Sequence, residues 1–129
     1  GADGVQMGTR FALTRESSAH FSFKDRCLQL NEGDTILTLK QLSPTRLVKN
    51  DFYKQVEEAE KRGASTDEMR DLLGKGRAKK GIFEGDIFEG LIEIGQAASM
   101  LKQLQTVDEV MKELAEEYEE ALNRIRTAR

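Results

Sequence analysis

The side chains that could do chemistry in this chain are few. His20 is its only histidine and Cys27 its only cysteine, too few ligands for a closed zinc site of the usual kind and too few thiols for an internal disulfide. A lone histidine invites a general-base reading. His20, however, follows Ser17-Ser18-Ala19 at the head of an apolar-periodic segment, where a surface or capping role is expected. Cys27 falls on the same face as Phe23, so it reads as a small core residue, and no neighbouring base would activate it. The run Lys75-Gly76-Arg77-Ala78-Lys79-Lys80 carries four positive charges in six residues. A solvated loop is its default reading, with a nicotinamide-cofactor phosphate or an acidic carrier protein as functional alternatives. Asp86, Glu89 and Glu93 could mimic a carboxylate metal site, but capping explains the first two more economically, and no metal is expected. Gly8-Thr9 closes an apolar run. Glycine lets a backbone approach an anion, and two amides with a threonine hydroxyl are donors for it; a strand-ending turn without a ligand accounts for the same pair.

The composition sets the frame for these residues. The chain has 129 residues, 38% hydrophobic and 33% charged, with one proline, which is enough for one domain with a modest core. Its formal net charge is −3, and no aromatic residue is interleaved in the basic run, so nucleic acid is not an expected partner. No apolar run is long enough for a membrane helix, and no signal-peptide pattern is visible. With a single cysteine, these features fit a reducing compartment and lead us to expect a cytoplasmic protein.

Among the elements the sequence predicts, Ala2–Phe11 reads as a buried strand running into the Gly-Thr turn. In AHFSFKDRCLQL, Phe23, Cys27 and Leu30 predict a helix ending at Asn31-Glu32-Gly33. Thr35–Leu39 and Arg46–Val48 read as a weak extended pair interrupted by Ser43-Pro44. Asn50 or Asp51 caps a helix whose inner face is Phe52, Val56 and Ala59. Ser65 with Glu68, Asp86 with Glu89, and Thr106 with Glu109 have capping-box spacing, which predicts helices over about 66–73, 86–104 and 107–126. The last carries Val107, Val110, Met111, Leu114, Tyr118, Leu122 and Ile125 on one stripe. The middle one has two apolar sides thinned by Gly90, Gly95, Ala97 and Ala98. A leading strand needs partners, so the pattern predicts the C-terminal part of a larger α/β protein.

In order along the chain, GADGVQMGTRF, ESSAHFSFKD, EGDTILTLKQLSPTRLVKN and GRAKKGIFEGDIFEGLIEIGQAASMLKQL resemble the C-terminal portion of a flavin enzyme family. That family comprises the nitronate monooxygenases (formerly 2-nitropropane dioxygenases) and the flavin-type enoyl-acyl-carrier-protein reductases. The resemblance implies the end of a (β/α)8 barrel: residues 1–31 as its last β/α unit and 32–129 as a mainly helical lid subdomain with a closing helix. It implies FMN at the strand end, Gln6-Met7-Gly8-Thr9, consistent with phosphate sites after the last strands of such barrels. It also places Gly95 and Gln96 over the substrate pocket, with Ile94 where relatives commonly carry alanine. The family's catalytic histidine belongs to an earlier strand and has no match here, so the chain alone is expected to be inactive. NAD(P)H is the implied co-substrate, and a small molecule such as a nitronate, or an acyl thioester, the implied substrate. An acyl carrier protein and a second copy in a homodimer are the implied macromolecular partners. The rival from another class is a non-catalytic helical interaction module.

Overall fold

Polar side chains set most of the helix starts in the computed structural model, which describes residues 2–128. The chain runs α1 (Thr9–Ala12), α2 (Phe21–Leu28), β1 (Thr35–Thr38), β2 (Thr45–Val48), α3 (Asp51–Lys61), α4 (Thr66–Leu73) and α5 (Arg77–Ile82). A 3-10 turn at Gln96–Met100 and the long α6 (Val107–Thr127) complete it. His20 Nδ1 accepts from the Ser22 amide at the head of α2, and Asn50 Oδ1 accepts from Tyr53 to open α3. Ser65–Glu68 and Thr106–Glu109 form reciprocal capping boxes on α4 and α6. Each such cap satisfies first-turn amides that would otherwise lack partners. Among the described residues this is an α/β chain with two strands and mostly helices.

The strands form an antiparallel hairpin in which Thr35 faces Val48 and Thr38 faces Thr45. Neighbouring strand residues point to opposite faces, and β2 uses this to divide the interior. Val48 joins Leu13, Phe23, Cys27, Leu30, Ile92 and Ile94 in one core. Leu47 joins Phe52, Val56, Ala59, Met69 and Leu91 in the other. Burying each large aliphatic or aromatic side chain contributes about 1.5–3 kcal/mol before entropy is counted. The hairpin end is held by Glu60, whose carboxylate accepts from Thr38 Oγ1 at 2.8 Å and from the Leu39 amide at 2.9 Å. That grip keeps buried Leu39 in the left-handed region at φ 56°, a conformation side chains with a Cβ rarely adopt.

Three sequence expectations are corrected. Residues Ala2–Met7 form no strand, and Val5 is 80% exposed. A ladder needs a neighbouring strand, and none of the described residues supplies one here. The apolar end of that run folds instead into the single turn of α1. Residues 86–104 form no continuous helix, because the segment's backbone groups are taken by its neighbours. Ile92 O accepts from Val48 N at 2.9 Å, Phe88 O from Phe52 N at 3.0 Å, and Leu91 N donates to Arg77 O at 3.0 Å. Asp86 still accepts from the Phe88 and Glu89 amides, a cap followed by a single turn. Finally, the basic run is not wholly a loop: Gly76, at φ +77°, starts α5 within it.

Candidate functional site

The corner where α1 meets the 3-10 turn brings together residues far apart in sequence. Gly8 caps α1 without a side chain, so the amides of Thr9, Arg10 and Phe11 have no acceptor among the described residues. The Thr9 hydroxyl accepts from the Gly95 amide at 3.0 Å. It therefore keeps its own proton to donate. A Cβ on Gly95 would lie 2.5 Å from Thr9 Oγ1, while one on Gly8 would meet nothing within 4 Å. The two glycines thus serve different ends. Gly95 admits Thr9, and nothing inside the chain requires Gly8. Gln6, Met7 and Gly8 are exposed on the approach to this corner, and exposed Gln96 leads into a groove of about 570 Å³. Of the expected site residues, Thr9 and Gly95 touch, Gly8 and Gln96 flank them, and Gln6 and Met7 stand further out along the chain.

Among the described residues, free amides with a hydroxyl donor and no Cβ in the approach match what a phosphate needs. Nearby Arg10 is spent internally, its Nη2 donating to Gln105 and Glu113.

A family model described as nitronate monooxygenase matches residues 1–117. The chain belongs to the nitronate monooxygenase family. A probable nitronate monooxygenase of Bacillus subtilis (strain 168) is 28% identical over 118 residues, covering 91% of this chain and 34% of that protein. A second, from Staphylococcus saprophyticus, is 39% identical over 59 residues, 45% of this chain and 17% of that protein. Among solved structures, FabK from Thermotoga maritima superposes with a TM-score of 0.89 at 27% identity, covering 100% of this chain and 41% of that one. The chain therefore spans about a third of the curated relative it matches along most of its length.

Within this chain, the other reactive side chains have structural posts. His20 caps α2, and its ring fills the space beside Gly85, which is left-handed at φ +78°. Burial pushes the Cys27 thiol up to about 12, with Arg26 only partly opposing it, so no thiolate forms near neutrality. Arg77 spends its donors on the carbonyls of Leu73, Glu89 and Leu72 and stacks on Phe52 at 4.2 Å. Lys79 and Lys80 pair with Glu84 and Asp86. A second cavity, of about 300 Å³ and lined by Leu39, Leu42, Leu73 and Leu91, lies beside Arg77 and away from Thr9. Arg46, also on the groove with Gln96, was missed by sequence reading. The only local signal was a cation inside the apolar extended piece Arg46-Leu47-Val48.

No helix among the described residues is long and apolar enough to cross a membrane.

Proposed function

We propose that this chain is the C-terminal part of an FMN-dependent oxidoreductase in which Gln6-Met7-Gly8-Thr9 lies at the cofactor's phosphate. The observation that carries this reading is the Thr9–Gly95 hydrogen bond. It joins a donor-rich turn to the segment that would cover the cofactor. The amides after Gly8 and the Thr9 hydroxyl would hold the FMN phosphate, and Gly95 and Gln96 would shape the substrate side and limit water. FMN, when bound, supplies the redox chemistry, either reducing an enoyl thioester with electrons from NAD(P)H or oxidising a nitronate with oxygen. The chain's own residues would bind and orient it. An acyl thioester substrate would bring an acyl carrier protein, which would dock outside the groove.

The experiment is Gly8→Val in the whole protein. A Cβ there has open space within the chain, so the fold should survive. The branched side chain would occupy the phosphate's approach, removing charge-assisted contacts each worth about 1.5–3 kcal/mol. Flavin absorbance per folded molecule should fall more than about tenfold. Full flavin occupancy in the variant would make Gly8 a plain turn residue and remove this reading.

A second reading has one observation in its favour. Met111, Tyr118 and Ile125 on α6 are 53%, 63% and 65% exposed, as a helical interaction module would require. A whole protein purified without flavin would favour it.

A further inference from the structure

Arg46 is the second residue of β2 and is half-buried. Its Nη1 donates across the hairpin to Thr35, at 3.4 Å to the carbonyl and 3.2 Å to Oγ1. These bonds fix the guanidinium without satisfying it. Among the described residues, no carboxylate pairs with Arg46, and its Nε and Nη2 have no acceptor. By contrast, Arg10 is paired with the Glu113 carboxylate, and Arg77 has Nε, Nη1 and Nη2 all engaged within the fold. An arginine held on one edge and free on the other presents the planar fork that grips a phosphate or carboxylate.

Its surroundings supply the rest of a site. Arg46 lies on the groove of about 570 Å³ together with Asn31, Thr35, Gln96 and Ser99, a volume in the range of small-molecule sites. Asn31 and Gln96 bring amide donors. Glu32, also on this groove, is exposed and leaves Arg46 unneutralised. The groove is tied to the Thr9 corner through backbone. Ile94 N donates to Arg46 O at 3.3 Å, and Leu47 bridges Glu93. The next residue, Gly95, bonds Thr9.

We propose that Arg46, with the side chains of Asn31 and Gln96, forms a second anion subsite that grips a phosphate ester on the tail of the substrate or co-substrate. The reacting end of the same molecule would lie on the Gly95–Gln96 side, away from the Thr9 turn that would hold the FMN phosphate. This inference rests on the functional reading above. Two molecules share the required chemistry, a phosphate on an elongated polar arm: a phosphopantetheine thioester and a nicotinamide dinucleotide.

The test is calorimetry and amide chemical-shift mapping on the whole protein with 4′-phosphopantetheine, pantetheine and ADP-ribose. A phosphate-bearing probe should bind roughly tenfold or more tightly than pantetheine, with shifts at Asn31, Arg46 and Gln96. Preference for 4′-phosphopantetheine assigns the acyl arm, and preference for ADP-ribose the dinucleotide. Arg46→Gln should abolish the preference. Should that variant loosen the hairpin, Arg46→Lys decides, because it keeps the charge but not the fork and should lose most of the preference. Equal binding of all three probes, shifts centred on Lys75–Lys80, or a preference unchanged in both variants would overturn the proposal. Flavin content of the whole protein is a separate readout: its absence would remove the FMN reading and leave a phosphate preference standing.

Discussion

At the scale of single residues, Gly95 is explained by one atom. The sequence suggested a glycine inside a helix, where it costs about 0.5–1 kcal/mol relative to alanine. It stands instead in extended backbone, φ −69° and ψ 154°, ahead of the 3-10 turn, and its missing Cβ makes room for Thr9 Oγ1. Gly95→Ala should swing that hydroxyl away and cost about 0.5–1.5 kcal/mol, the worth of one hydrogen bond. Thr9→Val should cost a similar amount, and the double variant less than the sum, because both remove the same bond. Urea titration of the four proteins checks this; strict additivity would contradict it. Asp86 gives a pH test. The Glu89 amide, then Lys80 and the Phe88 amide, hold its carboxyl down at about 2. A lowered pKa stabilises the fold fully above the unfolded value of about 3.9 and fades as pH falls from there toward 2. The stability gap between the wild type and Asp86→Asn should therefore be present at neutral pH and narrow across that acid window. Chemical denaturation on either side of the window measures it.

Elements differ in how plainly their sequence announces them. The starts of α2, α3, α4 and α6 were legible because their caps lie within three residues of the first turn, and the buried Phe52, Val56 and Ala59 follow the helical period. α5 was not legible, since it begins at a left-handed glycine with no side-chain cap. The segment after Asp86 misled for the opposite reason. Its cap is real, but the hydrogen bonds that would have extended a helix go to β2, α3 and α5. The resemblance pointed to Thr9 and Gly95, which the fold brings into contact, whereas the setting of Arg46 depends on a hairpin pairing that one sequence does not reveal. Arg77 is the staple of this region, bonding two carbonyls at the end of α4 and one at Glu89. Arg77→Lys keeps the charge but loses the planar fork. It should cost about 1.5–3 kcal/mol, read as a lower urea midpoint with an unchanged slope.

Across the whole molecule, order should fall off along α6. Its head is anchored by Glu16, which accepts from Val107 N, by the Arg10–Glu113 pair and by buried Val110. Its outer half carries exposed Tyr118 and Ile125. Hydrogen exchange should show amides near Val110 and Glu113 protected and those beyond Tyr118 opening as an isolated helix would, at little cost in free energy. Uniform protection along α6 would show that its outer half is covered, for instance by a second copy. The Thr9–Gly95 contact carries one more consequence, for the order of events in folding. Its two residues are 86 positions apart, so closing it requires the intervening hairpin and helices to have already shortened the loop. On a ribosome, Thr9 emerges long before its partner is synthesised. That corner is therefore among the last features to form, and a chain that has closed it has already completed the rest of its fold.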